Sequence, residues 1–156
     1  MDEHARKEAG VAAQQVSAER VIDVPAENVF DVLVDPSQHP LIDGSGSVKG
    51  TRSKAPQRLA MGSRFGMSMR IGLPYPITNH VVEFEEGRLI AWRHFGGHRL
   101  RWELEPAGPG KTRVRETFDW STSRSPKVLE LMKAPEKNYK AMEATLERLD
   151  HHLTGA

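Results

Sequence analysis

The sequence contains no cysteine. Disulfides, thiolate nucleophiles and sulfur-ligated metal sites are therefore excluded. Nothing demands an oxidising compartment, so a cytoplasmic location is the expectation. No run of about 18 apolar residues occurs, which predicts no bilayer-spanning helix and no stable membrane insertion. The opening MDEHARKEAGVAAQQ lacks an apolar stretch of signal-peptide length, and residues 1–15 are expected to form a flexible tail. Neither sign of charge prevails: 22 Lys and Arg against 21 Asp and Glu leave a formal net charge of +1. That balance gives no reason to expect nucleic acid or an anionic membrane surface as partner.

Motifs for cofactor chemistry are missing as well. There is no HExxH, no GxGxxG and no phosphate-binding loop, since DGSGSVKG lacks the GK[ST] ending and opens no helix. His151 and His152 are adjacent, so on a helix they diverge by about 100° and do not chelate together. The expectation is no metal and no cofactor. With 156 residues and no internal repeat, the chain reads as one domain over residues 16–154.

SAERVIDV (Ser17 to Val24) reads as a first strand stopped by Pro25. PAENVFDVLV then places Val29, Phe30, Val32 and Leu33 at helical spacing. Asp35-Pro36 marks the cap of a second short helix, which Pro40 restricts. From Ser63 the period becomes two, and the segments RFGMSMRI, ITNHVVEFE, RLIAWRHF, HRLRWELE and KTRVRETFDW alternate. GLPYP, the pairs Glu86-Gly87 and Gly96-Gly97, and PAGPG (Pro106 to Gly110) separate them as turns. The C-terminus is helical, opened by Ser125-Pro126 and broken at Pro135, with Tyr139, Met142, Leu146, Leu149 and Leu153 in one stripe.

This order defines an α+β fold: a curved antiparallel sheet of about seven strands, two short helices after the first strand, and a long C-terminal helix. In it, ERVIDVPAENVFDVLVDP resembles the opening of the START-like (SRPBCC) superfamily, which includes polyketide cyclases/dehydrases and lipid-transfer proteins. The resemblance covers about Ser17 to Leu153. It implies a helix-grip fold, in which the sheet wraps the C-terminal helix around a cavity for an apolar ligand. It carries over no catalytic residues, because the superfamily has no universal catalytic motif.

Two-residue turns at Gly96-Gly97 and Glu86-Gly87 predict the strand register. They pair Arg93 with Leu100 and Ala91 with Trp102, and His80 with Arg93. One face then carries Thr78, His80, Val82, Phe84, Leu89, Ala91, Arg93, Phe95, His98, Leu100, Trp102 and Leu104, and should face the helix. Val114, Glu116, Phe118 and Trp120 join it from the last strand. Ile90 and Trp92 fall on the outer face. Trp92 then stacks beneath Arg101, the preferred reading; the alternative is a bulge that turns it inward.

His80, Arg93, His98 and Glu116 are thus expected as polar groups in an apolar space, where each needs a partner. Two arrangements are open. Arg93 bridges to Glu116 across two strands, roughly 9–10 Å, or Arg93 clamps a carbonyl or anion with His80 or His98 beside it. Met67, Met69, Trp102, Phe118, Tyr139 and Met142 complete the expected ligand lining, with Tyr139 either a hydroxyl cap or core. In the loop DPSQHPLIDGSG, His39 is expected at the rim or in solvent. Asp43 reads as an Asx-turn residue, Leu41 and Ile42 as plugs onto the core, and Gly44 and Gly46 as conformationally permissive points.

The functional expectation is a soluble carrier or sensor for a hydrophobic small molecule such as a lipid, polyketide or isoprenoid. The alternative is a polyketide cyclase/aromatase or dehydratase, with Arg93 polarising a carbonyl and His80 or His98 moving protons.

Overall fold

Residues 14–45, 48–51, 58–71, 73–94 and 96–155 are described by a computed structural model, with the backbone alone for 48–51, 67–71 and 73–75. The expected tail at 1–15 lies almost wholly outside them, as do Gly46 and Phe95. Strand β1 spans Gln15–Ile22 and buries Ala18 and Ile22. Pro25, whose ψ of 153° is extended as suits an N-cap, then opens helix α1 (Ala26–Leu33). Val29, Phe30, Val32 and Leu33 are its buried face, as their spacing predicts. Asp35 caps the following 3-10 turn (Pro36–Gln38) by accepting from the Ser37 N–H at 3.1 Å. Helix α2 (His39–Ile42) completes this layer.

Strands β2 (Val48–Thr51), β3 (Arg64–Ile71), β4 (Leu73–Glu85), β5 (Leu89–Arg93), β6 (Arg99–Gly108) and β7 (Lys111–Asp119) form a meander. The sheet order is β1-β7-β6-β5-β4-β3-β2, so β1 closes against the last strand. Helices α3 (Pro126–Leu131) and α4 (Ala134–Thr154) follow, separated at Lys133, which takes a left-handed φ of 60° before Pro135. The start at Pro126 is as expected, although the Ser125 side chain makes no capping bond, and Pro135 falls in the first turn of α4, just after the break at Lys133. Helix α4 lies against β1, β7 and α2, burying Met142, Thr145, Leu146 and Leu149. This is a helix-grip architecture.

One expected break is absent. Leu73–Glu85 is a single strand through Pro74 and Pro76. Its pairing with β5 begins at His80, so among the described residues the stretch carrying both prolines has β3 alone as ladder partner. A strand edge tolerates a residue without an N–H.

The predicted register is corrected at both hairpins. Between β5 and β6, Arg93 pairs with Arg99, Trp92 with Leu100, Ala91 with Arg101 and Ile90 with Trp102. The turn is three residues long, not two. The His94 carbonyl accepts from the Gly97 N–H at 2.9 Å, and His94 N–H bonds the His98 carbonyl at 3.0 Å. Gly97 follows in a left-handed φ of 93°, the geometry of a tight turn closed by a glycine bulge. One added residue sends every β5 side chain to the opposite face.

Between β4 and β5, His80 pairs with Arg93 as expected, but a bulge at Val82 shifts the remainder, so Phe84 pairs with Ile90. The inner face therefore carries Asn79, Val81, Phe84, Ile90, Trp92, Leu100, Trp102, Leu104, Val114, Glu116 and Phe118. Ile90, Trp92, Trp102, Val114 and Phe118 are each at most 6% exposed. Trp92 points inward: its ring stacks on His39 and meets Phe65 edge-on, at centroid distances of 5.1 and 5.3 Å.

On the outer face, Arg101 donates to Glu83 through Nε at 2.9 Å and Nη2 at 2.8 Å, and its Nη2 also reaches Asp119 at 3.1 Å. Arg99 adds a bond to Glu83 at 2.9 Å. This cluster covers Ala91, where stacking of Trp92 was expected.

Candidate functional site

The inner face, under α1, α2 and α4, is where polar side chains meet an apolar surround. Trp102 and Glu116 are direct cross-strand partners on β6 and β7, 2% and 3% exposed. Above them lie Leu100 and Phe118, and below them Leu104 and Val114. Neither Trp102 Nε1 nor Glu116 Oε1 has a hydrogen-bond partner among the described residues. Two such atoms on paired residues are uncommon, since buried polar atoms in folded proteins are nearly always bonded.

Burial raises the Glu116 carboxyl well above its ordinary pKa, and the nearby negative charge of Asp43 adds to the effect. Burial therefore favours the neutral acid of Glu116, which is an O–H donor on the strand position facing the indole N–H donor of Trp102. Together they offer donors to one acceptor oxygen.

Asp43 reaches this position because its loop is fastened to α4. The Gly44 N–H donates to Thr145 Oγ1 at 2.8 Å. A Cβ at Gly44 would fall 2.5 Å from Thr145 N and 2.6 Å from Ala144 carbons. Gly44 is thus required by close approach to α4, not by an unusual φ. Asp43 is an Asx-turn residue as expected, accepting from Ser45 N–H at 3.2 Å. Ile42 is buried, whereas Leu41 is 55% exposed and plugs nothing.

A second polar group occupies the end of the face near the β5–β6 turn. His94 and His98 stack at 4.8 Å, and His98 lies 5.5 Å from Phe118, which stacks on Trp120. Asn79 precedes His80, whose ladder partner Arg93 precedes His94. Asn79 Oδ1 and His98 Nδ1 are buried and unpartnered among the described residues. Burial lowers the pKa of His98, and burial with the neighbouring His98 pushes His94 down to about 3. Both rings are neutral, so this end offers acceptors as well as donors.

Of the expected site residues, the structure brings together Trp102 with Glu116 and His98 with Phe118, and buries Met142 in the core. It does not place Arg93 or His80 with them. The register turns both to the outer face, where Arg93 is exposed, so Arg93 neither bridges Glu116 nor clamps an inner carbonyl. Tyr139 is 38% exposed. Met67 and Met69 pair with Ile77 and Tyr75 along the backbone; their side chains lie outside the described residues.

His39, expected at the rim, is buried. Its Nε2–H donates to the Leu33 carbonyl at 2.8 Å, and burial lowers its pKa. His39, Asn79, Trp92 and His94 are the residues sequence reasoning missed. The alternation Ile90, Trp92, His94 was the available signal for two of them. Among the described residues no cluster of three His, Asp or Glu side chains converges on a point. His152 bonds Gln38 Oε1 at 3.0 Å.

A wrapped sheet with neutral polar groups on its inner face defines a START-type ligand-binding domain. The chain belongs to the family described as polyketide cyclase/dehydrase and lipid transport, whose model matches residues 13–154. It is 39% identical over 147 residues to the uncharacterized protein Rv0088 of Mycobacterium tuberculosis, covering 90% of this chain and 65% of that protein. The chain thus spans under two thirds of the curated relatives it matches.

Among solved structures, it is similar to a protein from Arthrobacter aurescens (TM-score 0.73, 16% identity, 94% of this chain and 89% of that one). A START superfamily protein from Mycobacterium smegmatis gives 0.68 at 16% identity, over 90% and 97%. The AHSA1-like protein from Aeromonas hydrophila gives 0.59 at 23%, over 88% and 96%. These likenesses establish the fold. No helix of the described residues is long and apolar enough to cross a membrane.

Proposed function

We propose that the protein binds an apolar small molecule bearing an uncharged oxygen, such as a ketone, ester or alcohol, and that Glu116 and Trp102 hold that oxygen. The observation that carries this reading is that two cross-strand neighbours, Trp102 and Glu116, each bury an unpartnered polar atom, Nε1 and Oε1. A buried polar group without a partner costs about 1–3 kcal/mol, a cost that a ligand oxygen between the two donors removes. The neutral acid and the charge of Asp43 disfavour a carboxylate there. His98 and Asn79 would take a second polar group at the other end of the same molecule. The carrier reading supported by the sequence is retained, with its polar contacts moved from Arg93 and His80 to Glu116 and Trp102.

A second reading has one specific observation in its favour. A carboxylic acid held neutral by burial can protonate a carbonyl oxygen as it gains charge. A cyclase or dehydratase would then use Glu116 as general acid, in place of the Arg93 mechanism.

Native mass spectrometry before and after delipidation, followed by addition of a long-chain methyl ketone, tests the binding reading. The expected result is a non-covalent adduct that Glu116→Gln with Trp102→Phe weakens by about tenfold. A folded protein that carries and takes up no apolar molecule would overturn it. Turnover of an added polyketide-like substrate that Glu116→Gln abolishes would favour the second reading.

A further inference from the structure

Helix α3 presents an apolar face that nothing in the described structure covers. Val128, Leu131 and Met132 fall at i, i+3 and i+4, so they share one side of the helix. They are 52%, 84% and 60% exposed. The opposite side is anchored: Leu129 packs on the core, and Glu130 Oε1 accepts from Trp120 Nε1 at 2.8 Å and from Gln14 Nε2 at 3.2 Å. The preceding loop is tied to the β5–β6 turn, where Arg124 N–H bonds the Gly96 carbonyl at 2.9 Å and Thr122 Oγ1 bonds the Gly97 carbonyl at 2.6 Å. The exposed side chains are thus held outward by a fixed scaffold.

The charge along this stretch of the chain is one-sided. Residues 124–140 contain five basic side chains, Arg124, Lys127, Lys133, Lys137 and Lys140, and two acidic ones, Glu130 and Glu136. Glu130 is turned toward Trp120, and all five cations are exposed. None of the five joins an ion pair among the described residues. Averaged over the whole chain the charge is nearly balanced, so this asymmetry is local and does not appear in composition.

From this arrangement we propose that the α3 corner docks reversibly on an anionic lipid surface. Val128, Leu131 and Met132 would enter the headgroup boundary, and the flanking cations would meet lipid phosphates. An exposed apolar helical face flanked in sequence by exposed lysines is the chemistry of interfacial helices. A protein partner of ordinary mixed charge would leave these cations unmatched. The corner adjoins the β5–β6 turn, the end of the inner face that carries His94 and His98, so docking would set that end toward the membrane. The proposal does not depend on which molecule the inner face takes.

Flotation of the purified chain with vesicles tests it. Vesicles of phosphatidylcholine mixed with phosphatidylglycerol should retain the protein, and pure phosphatidylcholine vesicles should not. Leu131→Ser with Met132→Ser should weaken retention by about tenfold or more. Each of Lys127→Gln, Lys133→Gln and Lys137→Gln should weaken it by about fivefold, with added salt acting in the same direction. These positions are exposed, so an unchanged melting temperature verifies the fold of each variant. Absence of retention on the anionic vesicles, or retention unaffected by both sets of changes, overturns the proposal. So does self-association in solution that Leu131→Ser abolishes, because the face would then be an interface between copies.

Discussion

Trp92 stacks on His39, their ring centroids 5.1 Å apart and their planes 19° from parallel. One residue comes from the centre of the sheet and the other from the first turn of α2, so the contact fixes the short helices onto the inner face. Phe65 closes the group from β3, 5.6 Å from His39. The loop that begins at Asp35 is therefore built into the core at His39 and fastened to α4 at Gly44.

Replacing Trp92 with Ala should cost about 3–5 kcal/mol, the range for removing a large buried aromatic side chain. A Trp on the outer face would cost about 0.5 kcal/mol or less. Urea unfolding of the two proteins distinguishes these values directly.

Stability should depend on pH from both sides. His39 and His94 have folded pKa values below the ordinary 6.5. Below that value the unfolded chain takes up protons that the folded chain refuses, so their contribution is lost as pH falls below about 6.5, for His94 down to about 3. Glu116 has the opposite sign: its folded pKa is raised, so its contribution is lost as pH rises above 4.5. Glu116→Gln should therefore raise the melting temperature near pH 7 by a few degrees, about 2–4 °C for each kcal/mol. The gain should vanish in acid. Thermal melts of both proteins across the pH range check the sign.

Gly44→Ala should destabilise by about 1–3 kcal/mol, because the added methyl has no room against the α4 backbone. Thr145→Val should cost about 1 kcal/mol through loss of the Gly44 N–H bond. Chemical denaturation measures both. A cost for Gly44→Ala below that of Thr145→Val would mean the loop is not clamped.

Arg101→Met should cost about 1–3 kcal/mol by leaving Glu83 and Asp119 without their shared cation. Both carboxyls are held below their ordinary pKa by hydrogen bonds that include Arg101. Their contribution is present above the ordinary carboxylate values and is lost as pH falls through the folded ones. The variant should accordingly lose part of its acid sensitivity, which melts at about pH 7 and about pH 4 reveal.

The fold was legible in the sequence because its signals are local. Prolines at 25, 36, 126 and 135 punctuate the helices, and period-two runs mark the strands. The β6 and β7 face was legible too, since Leu100, Trp102, Leu104, Val114 and Phe118 alternate along the two strands with Glu116 alone among them. The site was less so. Its composition depends on turn length, and a single extra residue at His94–Gly97 exchanges Arg93 for Trp92. The bulge at Val82 likewise has no glycine to announce it. The burial of His39 follows from packing against Trp92 and Phe65, which are distant in sequence and invisible to any local pattern. The apolar alternation of Ile90 and Trp92 nevertheless pointed inward, and it carried more weight than the assumed two-residue turn.

The most direct test of the account is the indole resonance of Trp102 in a nitrogen-15 spectrum, assigned through Trp102→Phe. Titration with a long-chain methyl ketone should move that resonance in the direction of a new hydrogen bond. The Trp120 indole, already bonded to Glu130, should move little. The Trp102 shift should shrink in Glu116→Gln, and the matching fatty carboxylate should bind more weakly than the ketone. A ketone that binds while the Trp102 resonance stays still, or a carboxylate that binds more tightly, would contradict the assignment of Glu116 and Trp102 as the donors for a neutral oxygen.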